Sequence, residues 1–312
     1  MGWFQHSRFG AAGLALISIM ALLTGWRFQE PAPKGASVQG FSAVRARDVL
    51  RRVLPDATPH PLGTRAQSEV RARILRELSA LGFEPEVQEA TVCSPLGACG
   101  AVKNILVHIP GETDGTVLVS AHTDSTADGP GAADDGSGVA ILVELARFFR
   151  DREARNGVIL LFSEGEEQGM LGAIAFLKHH PLAAHVDVAV NLEARGRSGL
   201  SMLFQTQGAN AWLMETYAAQ APAPFSTSVA QAVYDDSPHY TDLTAFAAWG
   251  IPGVDFAFFD GVTAYHSPDD TVERLDWGSV QSQGDNALAM VRGLMDLVLH
   301  LILERLIILV IK

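Results

Sequence analysis

The chain has 312 residues, with 35 acidic and 23 basic side chains and a formal net charge of −12. Hydrophobic residues at 48% and charged residues at 19% describe a folding globular chain and exclude a disordered one. A chain this acidic is a poor polyanion binder, so no nucleic acid partner is expected, and its two cysteines exclude a disulfide-stapled mini-fold or a zinc site of four thiolates.

Residues 1–8 form a short N-terminal tail. Phe9–Trp26 is an uncharged apolar run of 18 residues, long enough to cross a bilayer as a helix. It reads as a transmembrane anchor. A cleaved signal is the alternative, although Leu22–Trp26 makes a poor small-x-small cleavage site. Arg8 favours a topology with the rest of the chain outside the cytoplasm, and Arg27 on the other flank opposes it. Residues 27–41 are rich in Pro, Gly and small polar side chains and read as a linker.

From residue 42 to residue 293 the pattern is that of one domain without internal repeats. Val44, Val49, Leu50 and Val53 begin a helix. Val70, Ile74, Leu75, Leu78 and Leu81 mark a second, with Gly82 placed as its C-terminal glycine. Strands are predicted over Glu86–Val92, Val102–Ile109, Thr116–Ala121, Val158–Phe162, Val186–Leu192, Ser201–Gln205 and Val254–Phe259. Helices are predicted over Val139–Phe149, Leu171–Leu177, Ala211–Ala219 and Trp277–Leu299. Such alternation implies an α/β fold with its sheet covered on both faces. Residues 294–312 read as an apolar C-terminal helix. Asp296, His300, Glu304 and Arg305 argue against a clean membrane span there, and the start of a membrane region is the alternative.

Acidic and histidine side chains collect where strands end, which is where open α/β sheets place their sites. His122-Thr-Asp124 leaves one apolar strand, and Glu164-Gly-Glu-Glu167 leaves another. Glu193 ends a third. Asp134-Asp135 sits in a Gly-rich loop before a helix, and Tyr265-His266 follows the last strand. Each alone could be no more than a turn, a solvated loop or a packing residue. Together, two histidines and three carboxylates suit two divalent ions with a bridging carboxylate, and a further carboxylate is left to take a proton from water. The adjacent pair Glu166-Glu167 could divide those roles, one as ligand and one as base.

Four segments, in this order, make the chain recognisable. They are His122-Thr-Asp124, Gly131–Gly138 with Glu144–Arg147, Glu166–Gly169 with Leu171-Gly172, and Tyr265-His266 with Asp270-Thr271. Over roughly residues 45–290 the sequence resembles the dizinc exopeptidases of the aminopeptidase and glutamate carboxypeptidase superfamily, metallopeptidase family 28. Asn191–Ala194, Phe204–Thr206, Thr241-Asp242 and Gly250–Gly253 make it similar to the endoplasmic-reticulum and vacuolar membrane branch.

The resemblance implies a mixed, mainly parallel sheet between helix layers and a cofactor of two zinc ions per chain. His122, Asp134 and Glu193 would hold one ion. Asp134, Glu167 and His266 would hold the other. Glu166 would be the general base, and Tyr265 would donate to the oxyanion. Asp124 would orient His122. A cis peptide between Asp134 and Asp135 is also implied.

The expected function is an extracytoplasmic, membrane-anchored zinc aminopeptidase with peptide substrates. A carboxypeptidase, a glutaminyl cyclase or a non-catalytic receptor on the same fold are the alternatives. Arg195 and Arg197 could clamp a substrate carboxylate, or simply form a solvated basic loop. Asp242 is a candidate substrate contact or a helix N-cap. Unassigned Glu164, Asp235 and Asp236 add acidity suited to a substrate ammonium. Outside the cytoplasm, Cys93 and Cys99 are expected to join across their short loop.

Overall fold

The computed structural model describes residues 29–208, 210–236 and 239–297. The expected anchor Phe9–Trp26 and residues 298–312 of the apolar C-terminal segment lie outside them. Among the described residues no helix is long and apolar enough to cross a membrane.

The apolar runs form strands β1 (Glu86–Cys93), β2 (Cys99–Ile109), β3 (Thr116–His122), β4 (Gly157–Ser163), β5 (Val186–Leu192), β6 (Met202–Gln207) and β7 (Gly253–Ala257). They make one mixed sheet in the order β1-β2-β4-β3-β5-β7-β6. The central strands β4, β3, β5 and β7 are parallel. The outer strands β1, β2 and β6 pair antiparallel. In β4 every residue is buried. Val158, Leu160 and Phe162 face one core, and Ile159 and Leu161 face the other. A strand covered on both sides has no polar face, hence its unbroken apolar run.

Against the first face pack α1 (Ala43–Val53), α2 (Arg65–Ala80), α3 (Gly136–Phe149), α5 (Ala211–Gln220) and α8 (Trp277–Asp296). The second face is covered by α4 (Leu171–His179) and α7 (Asp242–Ala248). The short α6 (Ser228–Asp235) buries none of its residues and stands beside β6. Neither α6 nor α7 is expected from the sequence. Both are about two turns long, too short for a 3.6-residue period to declare itself.

Side chains set several of the boundaries. Ser42 and Thr64 accept N–H groups at the starts of α1 and α2. At the end of α2, Gly82 takes φ 86°. There Gly82 N–H donates to Ser79 O at 2.9 Å, and Phe83 N–H to Leu78 O at 3.2 Å. This left-handed stop turns the chain into β1. The β1–β2 hairpin is closed by a Cys93–Cys99 disulfide. Residues 29–41, expected as a linker, lie along α8: Lys34 N–H donates to Gln281 at 2.8 Å, Lys34 Nζ pairs with Asp285 at 2.7 Å, and Phe41 is buried.

The order of the central strands places the site. The chain goes from β3 to β4 on one side, then crosses to β5 on the other. Such a switch of direction opens a crevice at the carboxyl ends of β3 and β5, and those ends carry His122 and Glu193.

Candidate active site

Asp134 is the hinge of the site. It follows Gly131, whose φ of 67° suits glycine, and its peptide bond to Asp135 is cis. Asp270 fixes this loop by accepting the N–H groups of Ala133 at 2.6 Å and Asp134 at 3.2 Å. Asp135 turns away to cap α3 and also accepts the His122 N–H. Thus the two adjacent aspartates have opposite tasks, one facing the crevice and one holding the backbone.

The Asp134 carboxylate reaches both histidines. Its Oδ1 lies 3.1 Å from His122 Nε2, and its Oδ2 lies 3.1 Å from His266 Nε2. On the first side Glu193 Oε2 is 3.9 Å from His122 Nε2. On the second, Glu167 Oε1 is 3.1 Å from His266 Nε2. Donor atoms of His122, Asp134 and Glu167 all fall within 4.8 Å of one another. His266 gains this position from a left-handed backbone, φ 50°, uncommon for a residue with a Cβ.

These residues fit metal ions. With bonds of ~2.0–2.1 Å, two donors on one tetrahedral ion sit ~3.3 Å apart, close to the nitrogen–oxygen spacings here. His266 Nε2 stands between Asp134 and Glu167, yet Glu167 Oε1 is buried and makes no hydrogen bond. A single N–H shared between two carboxylates satisfies neither fully, whereas a cation among them would serve both. Electrostatics agree. Burial, then the neighbouring charges, pushes the Glu193 and Glu166 carboxyls well up. Burial acts to lower both histidines, but their carboxylate neighbours win, so His122 rises and His266 is raised to about 10. A cluster that recruits protons this way is short of positive charge.

Asp124 contacts the His122 ring, though not by its carboxylate, which lies 3.7 Å from Nδ1. Instead the Asp124 backbone carbonyl takes that nitrogen at 2.9 Å. The carboxylate is occupied elsewhere, accepting N–H groups of Gly165 at 2.7 Å, Glu166 at 3.2 Å and Glu167 at 3.3 Å. It therefore shapes the loop that presents the two glutamates. Glu193 is held by Asn191 Nδ2 at 3.2 Å, and the Asn191 oxygen accepts from Ser120 at 2.5 Å.

Glu166 is half-buried beside this cluster and makes no side-chain hydrogen bond among the described residues. The Tyr265 ring stacks on that of His266, with centroids 3.7 Å apart. Glu164 is not free acidity: Arg71 pairs with it at 2.7 Å. Asp235 is exposed and bonded to Gln231. Asp242 is not the N-cap of α7. Thr241 caps α7, and Asp242, 1% exposed, accepts a hydrogen bond from Ser163.

Arg195 and Arg197 part company. Arg197 is exposed, as a basic loop residue would be. Arg195 is half-buried and donates from Nη1 to the Tyr265 hydroxyl at 3.0 Å. The signal for this was present in the spacing: two residues past Glu193 on an extended chain, a side chain returns to the same face. Arg195 and Tyr265 also line a cavity of about 530 Å³ whose other walls include Phe204, Val229, Val233 and Phe259.

Residues 104–291 match the profile of Peptidase family M28. The chain is similar to endoplasmic reticulum metallopeptidase 1 of Homo sapiens, 31% identical over 315 residues, covering 91% of this chain and 34% of that protein. It is 30% identical over 246 residues to a vacuolar membrane protease of Candida albicans, covering 76% of this chain and 29% of that one. The chain thus spans about a third of the length of the curated relatives it matches. In fold it is similar to a zinc aminopeptidase from Bacillus subtilis, with TM-score 0.69 and 15% identity over 83% of this chain and 96% of that one. An Acidobacteriales glutaminyl cyclase gives TM-score 0.65 and 22% identity, covering 85% and 98%. With the family profile matched over more than half its length, and the residues of the crevice falling inside that stretch, the chain belongs to peptidase family M28.

Proposed function

We propose that the chain is a zinc aminopeptidase, anchored in a membrane by Phe9–Trp26 with its catalytic domain outside the cytoplasm. The observation that carries the reading is the Asp134 carboxylate, one oxygen on each histidine, with Glu193 on one flank and Glu167 on the other. His122, Asp134 and Glu193 would hold one zinc ion, and Asp134, Glu167 and His266 a second. When bound, such a pair supplies Lewis acidity to the scissile carbonyl and lowers the pKa of a water.

The chain's own residues do the rest. Glu166 has no side-chain hydrogen-bond partner among the described residues, and burial raises its proton affinity. It takes the proton from the attacking water and returns it to the departing amine. Tyr265 donates its hydroxyl proton to the carbonyl oxygen as charge builds there. The carboxylate-rich crevice suits a substrate ammonium. The adjoining apolar cavity suits the first residue's side chain.

Zinc-loaded protein should trim peptides that have a free α-amine and an apolar first residue, and N-acetylation should block it. A second reading, a carboxypeptidase, is favoured by Arg195 facing the site rather than solvent. Trimming of acetylated peptides from their carboxyl ends, lost in Arg195→Ala, would install it instead. For the topology, external protease should reach the domain in intact cells or spheroplasts, and protection would refute the orientation.

A further inference from the structure

Beyond Leu192 the chain stays extended beside β7. Glu193 N–H donates to Phe256 O at 2.8 Å, and Arg195 N–H to Phe258 O at 3.0 Å. Glu193 and Arg195 therefore project to one side, while Ala194 packs into the core. The Arg195 guanidinium stands 5.2 Å from the Tyr265 ring centroid and 5.8 Å from that of Tyr234. No ion pair joins it to a carboxylate among the described residues. A half-buried guanidinium ordinarily offsets its desolvation with a carboxylate. Here its side-chain hydrogen-bond partner is a neutral phenol.

The donor inventory gives that contact a direction. Arginine has only donors, and a phenol has one proton and lone pairs to accept with. By accepting from Arg195, the Tyr265 oxygen fills a lone pair and keeps its proton for another partner. Stacking on His266, with centroids 3.7 Å apart, favours this placement of the ring. We propose that Arg195 is a positioning residue that works through Tyr265. It occupies the acceptor side of the hydroxyl, leaves the phenolic proton for the carbonyl oxygen of the scissile bond, and polarises that hydroxyl into a stronger donor. This rests on the reading of Tyr265 as the oxyanion donor, and it gives Arg195 a task other than holding a substrate carboxylate.

The test uses the full chain loaded with zinc and two substrates with the same apolar first residue, a dipeptide and an anilide. The anilide has no carboxylate. Tyr265→Phe should lower kcat about 10²-fold on both, the scale for losing one oxyanion donor. Arg195→Met should lower kcat about 10-fold on both with KM little changed, since only a transition-state contact is weakened. Zinc content should be unchanged. Added to Tyr265→Phe, Arg195→Met should change kcat by less than about 2-fold, because the two act as a unit. Affinity for a tetrahedral phosphonate analogue should fall in parallel with kcat. Arg195→Gln, closer in polarity, provides a second cycle with the same expectation. A loss confined to the dipeptide and carried by KM overturns the proposal and makes Arg195 a carboxylate anchor. Equal effects of Arg195→Met with and without the Tyr265 hydroxyl overturn it as well. If the unmodified protein cleaves neither substrate, the aminopeptidase reading itself falls, and this inference with it.

Discussion

The two flanks of Asp134 are built in different ways. His122 and Glu193 stand at the ends of β3 and β5, with side chains 1% and 5% exposed. Glu167 and His266 stand on loops after β4 and β7, with side chains 9% and 35% exposed. The strand flank takes its positions from main-chain pairing. The loop flank is held by side chains, namely Asp124 on three N–H groups and Asp270 beneath Asp134. A dry, ladder-borne half next to a wetter, side-chain-braced half implies a division of labour. On the proposed reading, water and substrate would approach from the loop flank, and that flank should release its ion first.

The largest effect should come from Glu166, which sits on the loop flank without being one of the proposed ligands. Glu166→Gln keeps the shape and removes the base. It should lower kcat at least ~10²-fold, the low end for a general base, with bound zinc unchanged by metal analysis. Loss of zinc would mean that Glu166 and Glu167 have exchanged roles.

Next in size is a test of the loop bracing. Asp124→Asn keeps one acceptor and loses the charge that gathers three N–H groups. Zinc affinity should fall about 10–100-fold, as for other supporting partners of a metal site, and competition with a chelator should show it on one ion only. Equal weakening of both ions would erase the contrast between the flanks. In the same assay His266→Ala should retain about one zinc of two, held by a strand flank that still has its three donors. If no zinc remains, the flanks are one unit.

A last effect, on stability and not on catalysis or metal, concerns the buried support beneath the strand flank. Burial raises the Asp255 carboxyl to about 7, against hydrogen bonds from Thr241 and Asn191 that favour its charged form. Unfolded, it ionises near ~3.9. Between those values the folded chain holds the extra proton, so stability of the metal-free protein falls as pH rises, by up to about 1.4 kcal/mol per pH unit. Denaturation at pH 5 and pH 7.5 should show a shallower fall in Asp255→Asn than in the unmodified protein. Identical slopes would mean that Asp255 is already charged in the fold.

How far the sequence could be read follows the same division. Strands buried on both faces declare themselves, because an unbroken run such as Val158–Phe162, too short for a full helix, suits a strand with no polar side, and β5 has the bounds its apolar run predicts. The short α6 and α7 do not, because seven or eight residues complete too few turns to show a period. At the site, His122, Asp134, Glu167, Glu193 and His266 were legible as a candidate set from their strand ends taken together with the family resemblance. Their supporting contacts were not. Asp124 sits two residues from His122, and its carboxylate serves a loop 41–43 residues away.

By itself, the sequence determined the strand-ends on which the cluster is built, since a period of two and a double-sided apolar run are local properties of the chain. It also determined that carboxylates and histidines follow those ends. Only the tertiary structure decided which carboxylate faces the crevice and which is consumed by the fold. Glu164 goes to Arg71, Asp242 to Ser163, Asp135 to the start of α3, and Arg195 turns inward to Tyr265. The reason is that a charged side chain commits to whichever donor or acceptor lies within about 3 Å once water is excluded, and those partners arrive from distant parts of the chain.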